Sequence, residues 1–246
     1  MAFPIGAVPG IDISHYQQVV DWPTVATGGE VFAFAKASEG GSVADVYFAD
    51  NWSAMRGAGI LRGAYHFFHP ATDAAAQADY FLKRLANANG DTTQLAPGDL
   101  PVALDLEVSD GVAPGDIITG AEAWLVAVEQ ATGRRPIVYT YVDFWKTTLS
   151  NPQDLAGYPL WISHLNVTSP TIPGGWTNWI FWQFAKQPIN GISNGVVDVD
   201  AFNGTTNDLR MLAGYTSSAV LSAKGSARKV KTPVSHSARS SKKTSV

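Results

Sequence analysis

The chain has no cysteine among its 246 residues. Disulfides and thiolate metal sites are therefore excluded as sources of stability or chemistry. Charged side chains are also sparse, at 15% against 46% apolar, a balance that rules out a disordered polyelectrolyte and implies a globular core. No apolar run approaches the ~18 to 20 residues needed to span a bilayer. The start, MAFPIGAVPGID, has neither a basic segment nor a long apolar segment, so no secretory signal peptide is expected there and export would take another route.

Acidic residues are missing from the C-terminal end. From Lys224 onward the charges are Lys224, Arg228, Lys229, Lys231, Arg239, Lys242 and Lys243. The formal net charge is −4, from 17 basic and 21 acidic residues, so removing those seven leaves 10 basic against 21 acidic. A body that acidic is a poor binder of nucleic acid. The expected division is a single domain over 1–215 and a basic Ser/Lys-rich tail over 216–246, too poor in apolar residues to fold alone. Such a tail either attracts an anionic surface such as a wall polymer or is a solvated end with no partner.

What the chain does contain is short apolar runs alternating with helical patterns, the signature of an α/β protein with a parallel sheet. Eight strands are expected, at GIDIS, VFAFAKA, RGAYHFF, PVALDLE, RPIVYTY, PLWISHL, WIFWQF and VVDVDAF. DAAAQADYFLKRLANANG reads as a helix that Asp73 caps and Gly90 closes. GDIITGAEAWLVAVEQATG reads as another, with Ile117, Ala121, Trp124, Leu125 and Val128 on one face. Later connections look shorter and less helical. The pattern predicts an irregular TIM-like β/α barrel of eight strands and fewer than eight helices; an open doubly wound sheet is the rival.

In PVALDLEVSD, residues 101–110, two acids interrupt an apolar strand. Asp105 and Glu107 are two apart, so on a strand they share a face. Inside a barrel both would emerge at the strand's C-terminal end, where β/α barrels carry their active sites. Two close carboxyls repel, so one keeps its proton to higher pH and can act as a general acid. Taken alone, a D-x-E is more often just a solvated strand end. Other strand ends add weight: Asp12; Lys36 and Glu39; Tyr65 and His66; Tyr139 and Tyr141; Trp161; Trp182 and Gln183; and Asp198 with Asp200. Acids and flat rings around one rim describe a sugar site.

Other chemistries find less support. His66 and His69 stand three apart in H-F-F-H and would face opposite sides of a strand, so no metal site and no cofactor are expected. GAGILRG has Arg62 where a dinucleotide loop needs its third Gly, and it precedes a strand. No G-x-S-x-G and no phosphate-binding Gly-Lys loop is present. Trp161, Trp176, Trp179 and Trp182 cluster late and are candidates to line a groove.

GIDISHYQ, FAFAKASEG, GAYHFF, ALDLE, a Trp-rich W-Q segment and VDVDAFNG, in that order, resemble glycoside hydrolase family 25, the Chalaropsis-type lysozymes. The resemblance covers about residues 8–214. It implies an eight-stranded barrel with fewer than eight helices, and cleavage of the β-1,4 bond after N-acetylmuramic acid in peptidoglycan, as in bacterial autolysins or phage endolysins. Carried over by position, the family's acid falls on Glu107, the first Asp of its D-x-E on Asp105, its N-terminal Asp on Asp12, and its late Asp on Asp198, although VDVD offers Asp200 as well. The resemblance places the enzyme at the bacterial wall, expected to work as a monomer without a membrane span. In the mechanism this implies, Glu107 donates its proton to the glycosidic oxygen. Then either Asp105 orients the substrate's acetamido group to attack C1, or a carboxylate stabilises the oxocarbenium ion and activates water; the D-x-E arrangement favours the first, with retention. A non-catalytic sugar-binding barrel, a metal-dependent deacetylase and a chitinase-like glycosidase are the rivals.

Overall fold

Strand β1 (Val8–Ile13) opens a sheet that closes on itself in the computed structural model, which describes residue 4 and residues 6–216. β1 pairs in parallel with β2 (Phe32–Glu39), which turns back into the two-residue β3 (Val43–Ala44). β4 (Leu61–Phe67), β5 (Ala103–Asp105), β6 (Ile137–Tyr141), β7 (Leu160–Ser163) and β8 (Phe181–Gln187) then follow one another in parallel. β9 (Val197–Phe202) lies between β8 and β1 and completes the barrel. Discounting the β3 appendage, eight strands form the closed wall, as the sequence predicts.

β9 departs from the expected parallel sheet: it runs antiparallel to both neighbours. The reason is its connection. Residues 188–196 form no helix, and a strand returns parallel only through a crossover of about a dozen residues or more. β8 and β9 therefore form a hairpin. Asp198, expected at a C-terminal strand end, instead sits near the N-terminal end of a reversed strand, which faces the same rim.

Helices cover only part of the wall. α1 (Trp22–Gly28), α2 (Phe48–Gly57), α3 (Ala74–Ala88) and α4 (Pro114–Thr132) follow β1 to β5, and α5 (Thr206–Leu212) follows β9. α3 begins where Asp73 accepts the amide of Ala76, and it buries Gln77, Phe81 and Leu85 at four-residue spacing. α4 starts with Pro114 in its first turn and ends at Gly133, whose φ of 70° terminates the helix. The connections between β6 and β9 carry only two short helical turns, Phe144–Thr148 and Asp154–Gly157. No described helix is long and apolar enough to cross a membrane. The basic tail expected over 216–246 lies, apart from Thr216, outside the described residues.

Period-two alternation sorts the strand side chains. Ala33, Ala35, Ile11 and Ile162 point outward and pack with Trp124, Phe81 and Trp52 of the helices. Phe32, Phe34, Ile137, Phe181 and Phe202 point inward and fill the lower barrel. Gly63 is required beside Phe34: a Cβ there would overlap its ring. This apolar plug makes the barrel a closed cup with its opening at the C-terminal ends of the parallel strands.

Candidate active site

Above the plug, the next inward positions are polar. Asp12, Lys36, Tyr65, Asp105, Glu107, Tyr139, Trp161, Gln183 and Asp198 line a cavity of about 390 Å³, together with Phe67 and Lys186. Each follows from alternation: Gly10 to Asp12, Phe34 to Lys36, Ala103 to Asp105 to Glu107, Phe181 to Gln183. The strand ladder sets them level, since Asp105 registers with Tyr139 and Phe67, and Asp12 with Asp198.

The floor is a hydrogen-bond network. Gln183 Nε2 donates to Asp12 Oδ2 at 2.8 Å, while its Oε1 accepts from Tyr139 Oη at 3.1 Å and Ser163 Oγ at 2.7 Å. Trp161 Nε1 donates to Asp200 Oδ1 at 2.8 Å. Asp200 is completely buried beneath the cavity and does not line it. Of its two VDVD acids, then, the chain presents Asp198 to the opening and keeps Asp200 below.

Five carboxyls this close cannot all ionise. Burial, then the charge of Asp198, pushes Asp12 up to about 8, against the opposing pull of Gln183 and Lys186. Burial and the neighbouring Glu107 hold Asp105 well above the usual carboxylate range. Glu107 is raised by burial, an effect that Lys36 opposes and Asp198 reinforces. Asp198 is raised by burial against Lys186, whose Nζ lies 3.2 Å from its Oδ1. Burial and Asp12 raise Asp200 well above its ordinary value. Tyr65 and Tyr139 are pushed up by burial and then by these acids, so both phenols stay neutral donors. Burial and mutual repulsion thus raise the proton affinity of every carboxyl in the group, the condition under which one of them can keep a proton to donate.

Besides Asp200, four of the expected site residues do not line the cavity. His66 is fully buried on the outer face, bonded to Ser38 Oγ at 2.9 Å and Gln77 Oε1 at 3.2 Å and stacked on Trp124. Trp182 also points outward, donating to His164 O and packing on Trp179. One residue of phase decides both cases: their neighbours Tyr65 and Gln183 take the inward positions. Glu39 stands beside the cavity in ion pairs with Lys36 and His69. Tyr141 is exposed at the rim against Phe144. Nor do the late tryptophans share one groove: Trp176 and Trp179 shape a separate depression with Tyr158 and Arg135, whereas Trp161 lines the main cavity.

Ser14, Tyr16, Gln17, Lys186 and Val196 also line the cavity, unanticipated from sequence. Ser14 and Gln17 close a capping box on the short turn after β1, a visible S-x-x-Q signal. Lys186 and Val196 had no such signal, because they arrive through the β8–β9 hairpin. Gln17 Nε2 donates to Val196 O at 3.4 Å, tying the two segments together.

A barrel whose open end holds acids over aromatic rings has the architecture of a glycoside hydrolase. The chain belongs to glycosyl hydrolases family 25, whose family model matches residues 11–192. It is 36% identical over 217 residues to lysozyme M1 of Streptomyces globisporus, covering 85% of this chain and 72% of that protein. It is 34% identical over 219 residues to the N,O-diacetylmuramidase of a Chalaropsis species, covering 84% and 99%. Among solved structures it superposes on the bacterial lysozyme of Streptomyces coelicolor with a TM-score of 0.78 at 34% identity, covering 85% and 98%.

Proposed function

We propose that the protein is a lysozyme, a 1,4-β-N-acetylmuramidase that hydrolyses the bond between N-acetylmuramic acid and N-acetylglucosamine in peptidoglycan. The observation that carries this is the placement of Asp105 and Glu107 on one inward face at the open end of β5, in a cavity shared with Tyr139 and Trp161 in a family 25 chain.

In this reading Glu107 is the general acid. Its carboxyl proton passes to the glycosidic oxygen as the C1–O bond breaks, help typically worth ~10²- to 10⁴-fold. The substrate's 2-acetamido oxygen attacks C1, and Asp105 accepts a hydrogen bond from the acetamido N–H, stabilising the oxazolinium ion. Water then opens that ring at C1 and gives its proton to Glu107, so the anomeric configuration is retained. Asp12 and Asp198 hold sugar hydroxyls and shape the proton affinities of the pair, while Tyr139 and Trp161 bound the acetamido and ring positions. The enzyme acts as a monomer at the bacterial wall, with the basic segment beyond residue 216 attracting anionic wall polymer, a role supported by its seven cations and absence of acids.

Digestion of purified peptidoglycan tests the reading in one experiment. Borohydride reduction of the products should yield muramitol, and proton NMR of the first product should show the β anomer. Glucosaminitol would refute the muramidase, and an initial α anomer would refute retention. Glu107→Gln should fold normally and lose nearly all release of new reducing ends. A variant keeping more than about a tenth of the rate would remove Glu107 from the acid role.

A further inference from the structure

Beside the cavity, four charged side chains stand in line and take no part in the proposed mechanism. Lys36 Nζ lies 2.5 Å from Glu39 Oε2, Glu39 Oε1 lies 3.0 Å from His69 Nε2, and His69 Nδ1 lies 2.9 Å from Asp110 Oδ2. The line joins β2 to the segments that follow β4 and β5. Both nitrogens of His69 meet carboxylates, and both can donate only in the imidazolium form. Burial lowers the His69 pKa, but Glu39 and Asp110 outweigh it and the net shift is upward. Charge therefore alternates along the row, and every member has a partner.

Its inner end is Lys36. Only 9% exposed, it lines the cavity with Asp105 and Glu107, and its ammonium lies 4.8 Å from the centre of the Phe67 ring. Among the described residues the other cation lining the cavity, Lys186, is half exposed and already paired with Asp198, so solvent screens it more. A buried ammonium clamped by a carboxylate is a poor choice for grasping sugar hydroxyls, because its strongest partner is already supplied. It is a good source of a fixed field.

We propose that Lys36 is a positioning residue that sets the proton affinity of the Asp105–Glu107 pair, and that Glu39, His69 and Asp110 form a strut holding its ammonium in place. When Glu107 releases its proton, a carboxylate forms opposite a cation that need not move to meet it. The other groups facing Glu107 are Asp105 on its own segment, Asp198 of β9, Lys186 of β8, Tyr65 of β4, and Tyr139 and Tyr141 of β6. The phenols are neutral, Asp198 raises the proton affinity of Glu107, and Asp105 is itself raised by Glu107, so Lys36 is the main counterweight to burial, with screened Lys186 second. The catalytic consequence rests on the proposed muramidase; the electrostatic one does not.

The test is a ¹³C-carboxyl NMR titration of the full chain, with the Glu107 signal assigned by its absence from Glu107→Gln. Lys36→Met should raise the Glu107 midpoint by about one pH unit, or roughly tenfold in proton affinity, the scale of losing one nearby opposite charge. The alkaline limb of the wall-lysis profile should move up with it, and Lys36→Arg should restore both. His69→Ala, on the partly exposed rim, should give a smaller rise in the same direction through a loosened strut. A folded Lys36→Met with an unmoved midpoint would overturn the proposal. Should Lys36→Met fail to fold, an unmoved midpoint in His69→Ala does the same. The titration needs no substrate, so a wild type that releases no muramitol would defeat the muramidase reading and leave this one decided separately.

Discussion

Asp99 lies at the closed end of the barrel and Asp105 at the open end, and solvent reaches 0% of one and 7% of the other. Their surroundings differ completely. Asp99 accepts from Arg62 Nε at 2.7 Å, Arg56 Nη2 at 2.9 Å and the Ala96 amide at 2.9 Å. Asp105 Oδ1 is buried with no hydrogen-bond partner among the described residues, and the strongest charge acting on the acid is another carboxyl, Glu107. Burying a carboxyl is costly in both places. At the closed end arginines offset the cost and the group ties α2 to the barrel wall; at the open end the cost is left standing, as expected where a group's reactivity is what is needed.

Breaking the two acids should therefore have opposite results. Asp99→Ala strands the buried Arg62 guanidinium without its anion, and truncating one member of a buried pair typically costs ~3 to 5 kcal/mol. Urea denaturation should show that loss, while wall lysis per folded molecule stays near wild type. Asp105→Asn should abolish most activity yet stabilise the fold by about 1 to 2 kcal/mol, a typical gain from relieving a strained site. Equal destabilisation in both variants would erase the distinction between the ends.

The same contrast appears as a slope against pH. An acid with a raised folded-state pKa binds more protons folded than unfolded across the interval between the two values. Its contribution to stability is complete below the lower value and is lost as pH rises through the upper. For Asp12 that window runs from about 3.8 to about 8. Thermal unfolding should therefore show stability falling across it, and Asp12→Asn should flatten the fall. The variant should also lose activity, since Asp12 lines the cavity.

Sequence reasoning reached the open end better than its detail. Asp105 and Glu107 were legible because a spacing of two on a strand needs only local geometry to put both on one face. The same rule condemns His66 beside Tyr65, and Trp182 beside Gln183: of two adjacent strand residues only one turns inward, and choosing it requires the phase of the whole strand. The eight strands and the principal helices were legible from hydrophobic period and from caps such as Asp73. Reversal of β9 was written in a connection too short for a crossover, but the alternation of VVDVDAF reads the same in both directions. The Asp110–His69–Glu39 line was out of reach, since it joins residues up to 74 positions apart from Lys36 to Asp110 through side chains alone.

Lys186 was missed for the same topological reason, and it gives the mildest test of the comparison between ends. It pairs with Asp198 at 3.2 Å and is 54% exposed; at the other end Arg135 lies 3.8 Å from Glu129 and is 51% exposed. Pairs so open to solvent are worth only ~0.2 to 1 kcal/mol, so Lys186→Met should change stability by no more than that, while Arg135→Met also gives up a hydrogen bond to Gly157 O and a contact with the Tyr158 ring and should cost somewhat more. Their effects on reactivity should separate. Lys186 opposes the burial that raises both Asp198 and Glu107, and removing it should move the alkaline limb of the pH–rate profile upward, by less than Lys36→Met does because solvent screens it. Arg135 sits behind the apolar plug of Phe32, Phe34 and Phe181, and its loss should leave the profile in place. A profile displaced equally by both substitutions would mean that net charge, rather than position at the open end, governs the acids.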